Sequence, residues 1–115
     1  MKGNDLLTRT FTFGVNCLIF LRTLPNDPES KLIRFQLGKS ATSIGANYEE
    51  SQAGSSKADF RNKVKIALRE ARESNFRLGI LEKLDHYDSE EFKILLKESA
   101  ELKYILGAIV NNTRP

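Results

Sequence analysis

The 115-residue sequence contains one cysteine and one histidine, and each scarcity closes off a class of chemistry. A single cysteine, Cys17, excludes an internal disulfide and fits a reducing compartment. It lies in an apolar run with no histidine or second cysteine nearby, so it reads as a small buried apolar residue. A single histidine, His86, leaves a Ser-His-Asp triad with only one candidate base, and no Gly-x-Ser-x-Gly turn marks a nucleophile. His86 therefore reads as a solvated turn residue. The Glu-x-x-His pairs that hold two metal ions in helix bundles are missing. Metal binding would need Glu49, Glu50, Glu70 and Glu73 to converge without an imidazole. Phosphate-cradling and dinucleotide loops are missing too, because Gly38 and Gly45 fall within a helical pattern and follow no strand. The sequence implies no catalytic residue, no metal and no cofactor.

Long hydrophobic runs are also scarce. The apolar stretch from Phe13 to Leu21 is about half the length that spans a bilayer, and it is interrupted by Asn16. A signal peptide needs a basic start, an unbroken apolar segment and a small-residue cleavage site, and Thr23-Leu24-Pro25 is a poor one. A cytoplasmic chain with no membrane partner is expected. The net charge of +3 and pI near 9.1 are mildly basic. Such a balance permits nucleic acid or an acidic partner without requiring either.

What is present is helical. No segment alternates with the period of two that a strand requires, whereas four segments carry helical spacing. The first runs from about Asn4 to Leu24 and is closed by Pro25-Asn26-Asp27-Pro28. Asp27 can cap the second helix with Pro28 at its first position, where the missing amide proton costs nothing. That helix continues to about Ala53 and stops at Gly54-Ser55. Ser56 and Asp59 have the spacing of a capping box that opens a third helix, reaching about Leu84. After Asp85-His86-Tyr87, Asp88 and Glu91 repeat the spacing, and the fourth helix runs to about Asn112. Long helices joined by short connections must fold back antiparallel. The expected fold is a single all-α domain, residues 1–115, forming an up-down-up-down four-helix bundle.

The first helix is apolar on two sides. Leu7, Phe11, Val15, Leu18 and Leu21 occupy one, while Leu6, Phe13, Cys17, Phe20 and Leu24 occupy most of the other. A helix apolar nearly all round is buried nearly all round. One bundle can cover only one side, so the second set, Leu6, Phe13, Cys17, Phe20 and Leu24, is expected to form an oligomer interface.

From Lys39 to Lys57 small residues recur at helical spacing. A polar file of Ser40, Ser43, Asn47 and Glu50 runs there beside Ile33, Leu37, Ala41, Ile44 and Tyr48. Buried polar groups need partners. Lys63 and Glu70 on the third helix can face Asn47 and Glu50 if the two helices are antiparallel neighbours. The spacing predicts a structural polar network of Ser40, Ser43, Asn47, Glu50, Lys63 and Glu70 that sets helix register. The same cluster read as an acid-base site is the enzymatic alternative.

The third helix also carries a basic stripe. Lys57, Arg61, Lys65, Arg69 and Arg72 fall within about 120° of one another, while Asp59, Glu70 and Glu73 lie toward the other side. Such a stripe, about 22 Å long at 1.5 Å per residue, matches a run of phosphates. The competing reading is a solvated face with local Arg69 to Glu73 pairing. Aromatic interleaving is sparse, with only Phe76 near the stripe.

The run Gly38-Lys39-Ser40-Ala41-Thr42-Ser43-Ile44-Gly45-Ala46-Asn47-Tyr48-Glu49-Glu50, then Ser56-Lys57-Ala58-Asp59-Phe60 and the run from Lys63 to Glu73, resembles the bacterial four-helix bundle proteins of the 23S rRNA intervening-sequence, or S23-like, family. That family includes the accessory variability determinant of diversity-generating retroelements. The similarity is close over the second and third helices and holds in pattern and length over the first and fourth. It implies a barrel-shaped homopentamer of four-helix protomers. By the same resemblance, the retroelement relative implies nucleic acid, or a nucleic-acid enzyme such as a reverse transcriptase, as partner. Its surface is strongly basic, against which +3 per chain is modest. Two functions follow: a non-enzymatic oligomer that binds RNA, DNA or a nucleic-acid enzyme through the stripe, and, as the alternative, a scaffold or protein-interaction module with no nucleic-acid contact.

Overall fold

A computed structural model describes residues 5–54, 56–85 and 89–115. They form four α-helices, α1 (Asp5–Leu21), α2 (Pro28–Ser51), α3 (Lys57–Asp85) and α4 (Glu90–Asn112). The described residues contain no strand. Each helix packs against its two neighbours, α1 on α2, α2 on α3, α3 on α4 and α4 back on α1, with the last pairing the thinnest. The result is a square, all-α bundle of 44 × 26 × 20 Å, whose longest dimension matches α3 at about 1.5 Å per residue.

Local chemistry sets most helix ends. Asp27 accepts the Ser30 amide at 2.8 Å and Pro28 takes the first helical position. These hydrogen bonds hold the Asp27 carboxyl below its ordinary range. Gly54 follows α2 with φ of +79°, the left-handed region that a residue without Cβ adopts cheaply. Ser56 accepts the Asp59 amide at 3.0 Å and opens α3. On α4 the cap is Ser89, which accepts the Phe92 amide at 3.1 Å. The cap expected at Asp88 lies outside the described residues, as do Asn4, Ser55, His86 and Tyr87.

Helix α1 ends at Leu21, three residues before the expected Leu24. The amides of Arg22, Thr23 and Leu24 donate instead to the carbonyls of Ile19, Phe20 and Leu21, three residues back, tightening the final turn. The Arg34 guanidinium then reaches from α2 to the carbonyls at this end, donating to Leu21 at 3.3 Å and to Leu24 and Pro25 at 3.0 Å.

The core runs the length of the bundle through Phe13, Cys17, Leu37, Ile44, Val64, Leu78, Phe92 and Leu102. This corrects the expected oligomer interface. Leu6, Phe13, Cys17, Phe20 and Leu24 are all buried within the single chain, and Phe20 packs on Phe92 of α4 with ring centroids 5.3 Å apart. Leu21, assigned to the other side, is buried with them. The side left in solvent is Phe11, Val15 and Leu18.

The reason lies in glycine. A Cβ on Gly45 would stand 3.2 Å from the Thr10 backbone, and one on Gly14 would stand 3.4 Å from the Ala41 carbonyl. The backbones of α1 and α2 therefore approach closely through these two residues. That approach rotates α1 until Phe13, Cys17 and Phe20 point inward. Burial pushes the Cys17 thiol up to about 12, keeping it protonated and inert.

Candidate nucleic-acid interface

Of the five stripe residues, Lys57, Lys65, Arg69 and Arg72 are exposed and Arg61 is half-buried. Arg61 donates to the Val110 carbonyl near the end of α4 at 3.4 Å, so it ties α3 to α4 as well as contributing charge. Lys65, Arg69 and Arg72 line an open groove between α3 and α4, floored by Leu68 and Val110. None of the five forms an ion pair among the described residues.

The acidic side chains nearest the stripe form no ion pair with it. Glu73 accepts from Arg77 at 3.3 Å, not from Arg69, so the local pairing that would have made the stripe an ordinary solvated face is not formed. Glu70 is half-buried on the side toward α2, and burial followed by the neighbouring Glu73 charge raises its carboxyl above the ordinary range. Glu98 and Glu101 of α4 turn toward α1. There Arg9 holds Glu98 through two hydrogen bonds of 2.6 and 3.0 Å, and Glu101 through one of 2.9 Å. Arg9 is thus the main polar tie between α1 and α4.

The helical file also extends beyond Arg72. Phe76 lies four residues on and Lys83 seven further, both exposed, which lengthens the stripe to about 39 Å.

The expected six-residue polar network is not formed. Ser40 is buried, but its partner is Ser74, whose hydroxyl donates to it at 2.9 Å. Asn47 bonds back to the Ser43 carbonyl within α2 at 2.9 Å. Glu50 is exposed, Lys63 is half-buried, and no hydrogen bond or ion pair joins them or Glu70 among the described residues. Lys63 and Glu50 have long, well-hydrated side chains near the bundle surface, where pairing gains little over water. The register is set one layer over. Asn75 donates to Ser99 at 2.9 Å and accepts from Lys103 at 3.0 Å, linking α3 to α4. The enzymatic alternative therefore loses the convergence of Glu50, Lys63 and Glu70 on which it stood. No group of three or more His, Cys, Asp or Glu is placed to hold a metal among the described residues. None of their helices is long and apolar enough to cross a membrane.

Arg9, Arg34, Asn75 and Lys103 were missed by reading the sequence because each acts across helices. Only small residues signalled such contacts in advance, and they did so for α2: Gly38 faces Leu18, Gly45 faces Thr10, and Ser40 faces Ser74.

The profile of the 23S rRNA-intervening sequence protein family matches residues 2–108. Among solved structures, the chain is similar to a protein of unknown function from the S23 ribosomal protein family of Bacteroides thetaiotaomicron VPI-5482. The two share 30% identity and superpose with a TM-score of 0.81, over 91% of this chain and 97% of that one. Comparison with curated proteins finds no match.

Proposed function

The chain belongs to the 23S rRNA-intervening sequence protein family, and from that membership we propose that it is a non-enzymatic, cytoplasmic, self-associating bundle that binds nucleic acid along α3. The carrying observation is the segregation of charge: Lys57, Lys65, Arg69 and Arg72 stand exposed in one file without an ion pair, while Glu73 pairs with Arg77 and Glu98 and Glu101 share Arg9 on the α1 side of α4. Neutralised cations gain nothing from a phosphate, whereas exposed, unpaired ones release counterions when they bind. The modest +3 of the whole chain understates this surface, because the average hides where the acids go.

Self-association rests on a separate face. Phe11, Val15 and Leu18 of α1 lie on the outer side of the glycine seam, with Phe35 of α2 across from them, all 40–70% exposed. A contiguous apolar surface of this kind suits a second copy of the chain. Because the α1–α2 and α3–α4 layers lie on opposite sides of the bundle, assembly around this face would leave each α3 stripe turned outward and free to bind.

Binding to RNA at graded salt tests the proposal. A stripe neutralising about four phosphates should give a log-log slope of roughly −3 to −3.6. The triple variant K65E/R69E/R72E should abolish binding while leaving the helical signal intact. No binding at low salt, or binding indifferent to the triple variant, would favour the scaffold reading in which the bundle contacts only proteins.

A further inference from the structure

We infer that the outer face shared by α3 and α4 carries a stacking site for unpaired nucleobases, formed by Phe76 and Tyr104. The inference rests on the nucleic-acid reading above and narrows its ligand to a single strand or an unpaired loop.

Two rings on this face serve no visible structural purpose. Phe76 is 69% exposed and Tyr104 is 78% exposed, so neither ring joins the core. Phe76 follows Arg72 by four residues and Arg69 by seven, which places it in the same helical file as the cations. The bonds from Asn75 to Ser99 and from Lys103 to Asn75 align α3 with α4 at this level. Phe76 and Tyr104 are each the next residue after a bridged one, turned about 100° from the seam. Both therefore emerge on the outer side of the two-helix layer. With neighbouring helices about 8–10 Å apart, the two rings share one surface with Arg69, Arg72 and Lys103. Glu101 adjoins Tyr104 and shares the one charge of Arg9 with Glu98, so the α1 edge of this face keeps a net negative charge and the strand's backbone is held from the α3 side.

Cations beside exposed rings recognise a strand whose bases are free. The guanidinium and ammonium groups follow the backbone, and the ring faces take up bases without regard to sequence. A duplex offers the same phosphates, but its bases are already stacked on one another. Duplex binding would use the cations and leave the rings idle.

The test compares a fluorescein-labelled oligouridine strand with a duplex RNA of equal length, using the full-length protein and the variants F76A, Y104A, F76W and Y104F. The alanine variants should each weaken oligouridine binding roughly 5- to 150-fold and leave duplex binding and native mass unchanged. F76W and Y104F, which keep a ring, should bind like the parent. Equal losses on strand and duplex, no loss on the strand, or a fall in native mass in the alanine variants would each overturn the stacking site. A strand that still responds to K65E/R69E/R72E but not to F76A or Y104A would sink this inference alone. Failure of both RNAs to bind the parent protein would sink the nucleic-acid reading with it.

Discussion

The α1–α2 layer and the α3–α4 layer are built from the same helical period and present opposite surfaces. In the first, two backbones approach through Gly14 and Gly45. A seam that tight has no room for large side chains, so Phe11, Leu18 and Phe35 are displaced to its outer rim, where they face water. In the second, the helices are tied by side chains, through Asn75, Ser99 and Lys103 and through Arg61 on Val110. That spacing leaves the outer rim to long cations that solvate readily. One layer presents an apolar rim and the other a cationic one, and the difference accompanies how each helix pair is joined.

The sharpest way to break this comparison is to charge the apolar rim. The variant F11E/F35E should remove self-association altogether, read as native mass by sedimentation at high concentration, and leave a folded monomer. A parent protein that is already monomeric would end the contrast. Phe13 supplies the control two positions away: it is buried, so F13A should cost about 3–5 kcal/mol of stability by chemical denaturation, whereas F11A should cost the isolated protomer little. Equal losses would mean that α1 is not rotated so as to bury Phe13 and expose Phe11.

Two glycine substitutions separate the layers next. G45A sets a Cβ against the Thr10 backbone and should destabilise by about 1–3 kcal/mol. G79A, in the interior of α3 with nothing within 4 Å of its added Cβ, should instead stabilise by roughly 0.5–1 kcal/mol. Thermal denaturation reads both signs directly.

The smallest effect concerns Glu70. Burial raises its folded-state carboxyl above the ordinary range, so the folded chain holds that proton more tightly than the unfolded one. Its contribution is fully present below the unfolded value of about 4.3 and is lost as pH rises through the raised folded value. E70Q should therefore raise the melting temperature at pH 7 by about a degree or two and change nothing near pH 3.5. An equal gain at both pH values would trace the effect to packing.

Much of the fold is legible along the chain. Asp27 with Pro28, and Ser56 with Asp59, mark helix starts through bonds between residues three apart, and such bonds depend on nothing distant. The end of α1 was less legible, because Arg34 reaches back from α2 to the carbonyls of Leu21, Leu24 and Pro25 and rewards an earlier stop. Of the candidate interface, the cations of α3 were visible as a file. Their lack of ion pairs was not, since it depends on Glu73 pairing with Arg77 and on Glu98 and Glu101 facing Arg9 of α1. The six-residue polar network failed for a related reason: side chains that can meet across a seam pair only where the seam excludes water.

By itself the sequence determined that there would be four helices, roughly where each begins, and which residues share a file on each. Periodicity specifies angles between side chains around a helix axis, and those angles are local. It does not specify how far that axis is turned within the bundle. For α1, with apolar residues on two sides, the turn decided whether Phe13 or Phe11 would be buried. Only the tertiary structure settled it, through backbone contact at Gly14 and Gly45 and the grip of Arg9 on α4.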